Sequence, residues 1–164
     1  MSTIVICLDG SEAAAKAAEL GLGIASARGD HVVMLAVQTP MVELGVPEPL
    51  SGDGTWLGGS HMQELADTAA ASARARGVDV ETVVTDGRPA EEICRLARDR
   101  AAGLIVVGGH GWGPIRSLIE DSAASAVLHR APCAVLVGPP GSRDQSALEA
   151  PAHLTVNSAA GHAR

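Results

Sequence analysis

The sequence contains no phenylalanine and no tyrosine, and its two tryptophans, Trp56 and Trp112, lie in segments that we predict to be loops. A core must therefore be built from valine, isoleucine, leucine and many alanines, which favours helices packed closely on a sheet. With 164 residues, 46% of them hydrophobic, the chain is long enough for one such core. We expect a single domain.

Basic residues are also scarce. Lysine occurs once, at Lys16, and 12 basic residues stand against 19 acidic ones, for a formal net charge of −7. Nucleic-acid binding needs a concentrated basic face, so this composition disfavours a nucleic-acid partner. No apolar run reaches membrane-spanning length, and the N-terminal run has no basic segment before it. Three widely spaced cysteines are typical of reduced thiols, so we expect a cytoplasmic protein without membrane contact.

Short continuous apolar runs alternate with alanine-rich segments of helical spacing. Such runs are typical of strands buried on both faces, and their alternation with helices predicts an α/β domain with a parallel sheet. The predicted strands are 3–8, 31–37, 78–85, 104–107 and 133–137. The predicted helices are 12–27 with Ser11 as N-cap, one from a capping box at Ser60–Gln63 to Gly77, one from Pro89, and one from about Asp121 to Arg130.

Two segments lack this periodicity. Residues 38–59 contain three prolines and several glycines, which predicts either a functional lid or a mobile loop. Small and polar residues predominate near the C-terminus. We therefore expect a domain at 1–138 and a flexible tail at 139–164.

A glycine-rich loop follows the fourth predicted strand. Gly108, Gly109, Gly111 and Gly113 fall within six residues. Glycine permits positive φ angles and lets a ligand approach the backbone without meeting a Cβ atom. The loop leads to a helix N-terminus, whose free N–H groups and partial positive charge suit an anion. This segment therefore predicts a phosphate-binding loop.

Four blocks resemble the universal stress protein family. Gly108, Gly111 and the pair at 121–122 resemble its nucleotide signature, in which a Gly, two residues, a Gly and nine residues precede Gly and Ser or Thr. Blocks at 5–11, 87–93 and 131–137 resemble other family segments in the same order. The resemblance implies an open five-stranded parallel sheet of order 3-2-1-4-5 with helices on both faces, an adenine-nucleotide alpha-hydrolase-like fold.

The resemblance also implies a ligand site at the carboxyl ends of the strands, where the strand order reverses. By this similarity Cys7 and Asp9 line the base and ribose pocket, Val37 offers backbone contacts to the base, and Val107 borders the base or ribose. The residues that it places around the phosphates are Gly108, Gly111, Ser122 and Ala123. The implied cofactor is ATP or another adenine nucleotide with magnesium, and we predict no metal site built by the protein alone.

Asp121 departs from the family signature, because it stands where the third glycine belongs. Its Cβ reduces the space available to a phosphate. Its carboxylate is also a good N-cap, so it can accept hydrogen bonds from the helix N–H groups in place of a ligand anion. It also places a like charge near a polyphosphate, at a cost of roughly 1 to 4 kcal/mol. We therefore expect ATP binding to be weak or lost. His110, between loop glycines, is either a turn residue or a ligand contact.

Three functions remain open. The first is a small-molecule or adenine-nucleotide-binding regulatory domain, as the resemblance implies. The second is a non-nucleotide interaction protein, a homodimer through the fifth strand at Cys133–Val137, with no cofactor. The third is an enzyme that has reused the cleft, in which Cys7, Asp9, His110 and Asp121 converge for thiol or acid–base chemistry; no catalytic residue is assigned.

Overall fold

The computed structural model describes residues 1–39, 58–109 and 123–139, with the backbone alone at 58–60. In this part of the chain five strands and four helices follow one another as β1 Thr3–Leu8, α1 Glu12–Arg28, β2 His31–Gln38, α2 Gly58–Ala75, β3 Val80–Asp86, α3 Pro89–Asp99, β4 Leu104–Val107, α4 Ala123–Arg130 and β5 Ala134–Val137. The strand pairs are parallel, and the sheet order is β3-β2-β1-β4-β5. The predicted fold class and strand order are confirmed.

Helices cover both faces of the sheet, which explains the continuous apolar runs. Along β1, Ile4, Ile6 and Leu8 belong to the core shared with α1 and α2. Val5 and Cys7 belong to the core shared with α3 and α4. Because successive side chains of a strand point to opposite faces, a strand buried on both sides has apolar residues at every position.

The core needs no aromatic residues because α1 packs very close to the sheet. Ala17 and Ala25 of α1 are no more than 1% exposed. A Cβ atom at Gly21 would lie 2.9 Å from Cδ1 of Ile6 and 3.1 Å from Cγ2 of Val106. Small residues on the buried side of α1 therefore let the helix lie so close to the sheet that no space is left for aromatic side chains, as the composition predicts.

Two predicted element starts are wrong. The capping box at Ser60 fails because α2 begins at Gly58, so residue 60 lies inside the helix. Packing of the apolar side of α2 on the sheet outweighs the low helix propensity of its first glycines. Strand β3 starts at Val80 instead of residue 78, because the N–H of Val78 donates to the carbonyl of Ala73 and closes the end of α2.

The remaining boundaries shift by one residue or fall outside the described residues. Strand β5 begins at Ala134, so Cys133 immediately precedes it. Of the segment predicted as a loop at 38–59, Gln38 belongs to β2 and residues 58–59 to α2, while 40–57 lie outside the described residues. The predicted tail lies outside them from residue 140 onward.

None of the helices in the described part of the chain combines the length and the apolar character that a membrane span requires.

Candidate functional site

The order of the sheet reverses between β1 and β4, which are paired at its centre. The helix that follows β1, α1, packs on one face, whereas α4, which follows β4, packs on the other. The two chain segments therefore diverge at the carboxyl ends of these strands and leave a crevice, the place where open α/β sheets bind their ligands. Asp9 and Gly108 come directly after the two strands, at this edge.

Asp9 shapes the turn that begins α1. Its Oδ1 atom accepts a hydrogen bond from the N–H of Ser11 at 2.8 Å. The hydroxyl oxygen of Ser11 accepts in turn from the N–H of Ala14 at 3.1 Å, so Ser11 is the N-cap, as predicted. Burial raises the pKa of Asp9, although its hydrogen bonds from Ser11 lower it. The crevice thus has a partly buried carboxyl acceptor, held by a local turn.

Gly108 lies against the first turn of α1. A Cβ atom on this residue would lie 2.7 Å from the backbone nitrogen of Ala14 and 3.0 Å from the carbonyl carbon of Ala13. Backbone atoms cannot move away as a flexible side chain does, so only glycine fits here. The first glycine of the predicted phosphate loop is therefore required by packing within the protein, whether or not a ligand is bound.

Gly138, which the sequence analysis did not single out, completes this packed junction. Its N–H donates to the carbonyl of Val107 at 2.8 Å. A Cβ atom on Gly109 would collide with its carbonyl oxygen, and a Cβ atom on Gly138 itself would lie 2.5 Å from Cβ of Ala17. In the sequence, Gly138 is a glycine directly after an apolar strand, and such a glycine is equally typical of an ordinary turn.

Cys7 is a buried residue of the core. It is 2% exposed and belongs to the core that β1 shares with α3 and α4. Burial raises the pKa of the Cys7 thiol far above its ordinary value, and Asp9 and Cys94 raise it further. A thiol that stays protonated is a poor nucleophile. These properties support the interpretation of Cys7 as a core residue and weaken the enzyme hypothesis.

We expect thiol reagents to distinguish the three cysteines. Cys133 is partly exposed, whereas Cys7 and Cys94 are each 2% exposed. Ellman's reagent should modify Cys133 first in the folded protein and should reach Cys7 and Cys94 only on unfolding in guanidinium chloride, as peptide mass spectrometry would show. Rapid modification of Cys7 in the folded protein would contradict its interpretation as a core residue and support the enzyme hypothesis.

Three further predicted site residues lie at the same edge of the sheet. Val37 is the penultimate residue of β2 and is 4% exposed. Val107 ends β4, and its side chain is fully buried in the core that contains Cys7. Ala123 is the first described residue of α4, which packs on that core. The side chains of Val37, Val107 and Cys7 thus all belong to the core on the α3 and α4 face.

The other predicted site residues, His110, Gly111, Asp121 and Ser122, lie outside the described residues. Among residues 1–39, 58–109 and 123–139, no three histidine, cysteine or acidic residues form a group that suits a metal ion.

The chain is similar to known proteins along most of its length. The family model for the Universal stress protein family matches residues 1–139. A universal stress protein of Thermus aquaticus is 33% identical over 137 residues, which cover 82% of this chain and 96% of that protein. A universal stress protein of Bacillus subtilis is 28% identical over 142 residues, with 82% and 96% coverage.

Solved structures share the fold. A universal stress protein in complex with cAMP superimposes with a TM-score of 0.66 at 24% identity, covering 85% of this chain and 98% of that one. The universal stress protein from Archaeoglobus fulgidus in complex with dAMP gives a TM-score of 0.60 at 22% identity, with the same coverage.

Proposed function

Because the chain belongs to the universal stress protein family, we propose that it is a regulatory domain that binds an adenine nucleotide in the crevice between β1 and β4. The observation that carries this proposal is the meeting of the Asp9 turn and the Gly108 loop at the point where the strand order reverses. Related structures of the same fold contain cAMP and dAMP, which favours an adenine nucleotide over other ligands.

In this proposal the two sides of the crevice bind different parts of the nucleotide. Asp9 accepts a hydrogen bond from the ribose or base, and Val37 offers backbone groups to the base, beside the apolar core that contains Cys7 and Val107. The loop from Gly108 through His110 and Gly111, with Ser122 and Ala123, presents backbone N–H groups to the phosphates. The glycines here serve two purposes, because Gly108 also has to fit against α1.

The proposal includes weak binding of ATP. Asp121 replaces the third glycine of the family signature, so its carboxylate competes with the terminal phosphates for the N–H groups of the loop. Magnesium that bridges the carboxylate and the phosphates would reduce the repulsion. A nucleotide with fewer phosphates meets less of this repulsion, so we expect AMP or cAMP to bind better than ATP.

Calorimetric titration with AMP tests the site. We expect saturable binding to the wild type and at least about tenfold weaker binding to Asp9→Ala, because a hydrogen bond to a charged acceptor contributes roughly 1.5–3 kcal/mol. Asp67→Ala is the matched control, since Asp67 lies on the exposed side of α2, where its carboxylate accepts a hydrogen bond from the side chain of Gln63. Absence of AMP and cAMP binding to the wild type would contradict the proposed function.

A homodimer through β5 is supported by the apolar surface around that strand. Among the described residues β5 pairs only with β4, so its other edge offers unpaired backbone groups. Val137 on the strand is 41% exposed, and Leu128 on the adjacent α4 is 55% exposed. Leu20 of α1 is also 50% exposed. It lies one helical turn after Ala17, which packs against Gly138 at the end of β5. We propose that two copies pair along this edge, between Cys133 and Val137.

Light scattering during size-exclusion chromatography tests the dimer. The wild type should elute at twice the mass of the chain, and Val137→Asp should elute as a monomer, because a charge on the strand edge disfavours pairing. Ala71→Asp places the same charge on the exposed side of α2 and should remain dimeric. A monomeric wild type, or a dimeric Val137→Asp variant, argues against pairing through β5.

A further inference from the structure

A cavity of about 240 Å³ lies between α1 and α2. Leu8 of β1 and Met34 of β2 form its floor. Leu22 of α1 and Leu65 of α2 lie on opposite walls. Most of the other side chains that the two helices contribute are small, namely Ala14, Ala15, Ala18, Thr68, Ala69 and Ser72. Small side chains from both helices therefore leave space between α1 and α2.

This cavity lies on the opposite face of the sheet from the core that contains Cys7, Val37 and Val107. Leu8, Met34 and Leu22 belong to the core shared with α1 and α2, whereas Cys7 and Val107 belong to the core shared with α3 and α4. The turn of Asp9, Gly10 and Ser11, together with Ala14, lines one end of the cavity and borders the proposed nucleotide crevice. The rest of the cavity extends between α1 and α2, on the face of the sheet opposite Cys7 and Val107.

The lining restricts the chemistry of a ligand. The residues that line the cavity within the described part of the chain include no lysine and no arginine. Two carboxyl groups line it, those of Asp9 and Glu19, and that of Glu19 is already paired with Arg76. An anionic ligand would meet like charge at both carboxyl groups, whereas a hydrogen-bond donor could reach Asp9. The rest of the lining is mostly apolar and favours a ligand that is apolar apart from this donor.

We propose that this cavity is a second binding site, for a small, neutral and mostly apolar molecule that donates one hydrogen bond at the Asp9 end. An apolar protein cavity of about 150 Å³ is large enough to bind benzene, so 240 Å³ accommodates a bicyclic molecule. The apolar body lies between Leu22 and Leu65, and the donor faces the turn at Asp9. The site is independent of the proposed nucleotide function, although both sites share that turn.

Indole is a suitable probe, because it is bicyclic and neutral and has a single N–H donor. We expect an NMR titration of the wild type with indole to saturate with a dissociation constant of roughly 0.1–1 mM, as is usual for a ligand of this size. Benzothiophene has nearly the same shape without the donor and should bind at least about fivefold more weakly. Indole-3-carboxylate should bind more weakly still.

Two substitutions fill the cavity without disturbing the core. Ala15 and Thr68 line it but are otherwise exposed, so Ala15→Leu and Thr68→Leu should each weaken indole binding at least about tenfold. Ala71→Leu is the control, an exposed position on α2 that does not line the cavity, and should bind indole as the wild type does. Thermal unfolding checks that every variant is folded.

Three results would overturn the proposal: no binding of indole to the wild type, undiminished binding to both cavity-filling variants, or equal affinity for indole and benzothiophene. AMP titration of the Ala15→Leu variant separates the two sites. Retained AMP binding with lost indole binding supports a second site, whereas loss of indole and AMP binding together shows that indole had occupied the nucleotide crevice.

Discussion

The Asp121→Gly variant is expected to bind ATP about ten to a thousand times more tightly than the wild type. The substitution restores the third glycine of the family signature and removes the negative charge that we propose lies near the terminal phosphates. A like charge at a distance of a few ångströms costs roughly 1 to 4 kcal/mol, which corresponds to this range of affinities. Calorimetric titration with ATP and magnesium measures the difference.

An asparagine at the same position separates charge from size. Asp121→Asn keeps the Cβ and the capping oxygen but removes the charge, so it should recover part of the gain in ATP affinity. AMP affinity should rise less than ATP affinity in both variants. Tight ATP binding by the wild type, with no gain in the glycine variant, is the outcome that contradicts a role for this carboxylate.

The Gly108→Ala variant is expected to lose about 1–3 kcal/mol in its free energy of unfolding. The added Cβ would lie 2.7 Å from the backbone nitrogen of Ala14, so the β4 loop or the first turn of α1 has to move. Urea unfolding followed by circular dichroism measures the change. This loss should occur in the absence of any nucleotide, because the clash lies within the protein.

Gly23→Ala is the matched control for this experiment. Gly23 lies on the exposed side of α1, and nothing lies within 4 Å of a Cβ atom built there. Alanine favours the helix interior over glycine, so this variant should be more stable by about 0.5–1 kcal/mol. Equal stabilities of the Gly108→Ala variant and the wild type would show that the close contact at residue 108 is relaxed in solution.

The sheet was predictable because its three central strands, β1, β2 and β4, are buried on both faces. A run such as Leu104–Val107 between turn residues has no other simple explanation, and helices between such runs predict parallel pairing. The strand order itself came from the family resemblance. Propensity and spacing alone do not determine which strands are neighbours.

The errors occurred where a tertiary or backbone contact decided the boundary. Val78 is apolar and reads as the start of a strand, but its N–H completes the end of α2. Ser60 has the sequence of a cap, yet α2 begins two residues earlier. Side-chain patterns describe which face of an element is buried and give little information about backbone hydrogen bonds at its ends.

The candidate site was predictable only in part, because its contacts join residues far apart in the sequence. The family resemblance predicts Asp9 and Gly108 at one edge of the sheet, where the structure has them. The contact of Gly108 with Ala14 and the junction at Gly138 depend on how closely α1 packs on β4 and β5. The cavity between α1 and α2 was equally unpredictable, since it depends on how closely the two helices pack against each other.

The ratio of AMP to ATP affinity in the wild-type protein tests the central claim most directly. The claim is that the crevice between β1 and β4 binds an adenine nucleotide and that Asp121 disfavours a triphosphate. Calorimetric titrations in one buffer with magnesium should show saturable AMP binding and weaker ATP binding. ATP binding tighter than AMP binding, or no binding of either nucleotide, would contradict the claim.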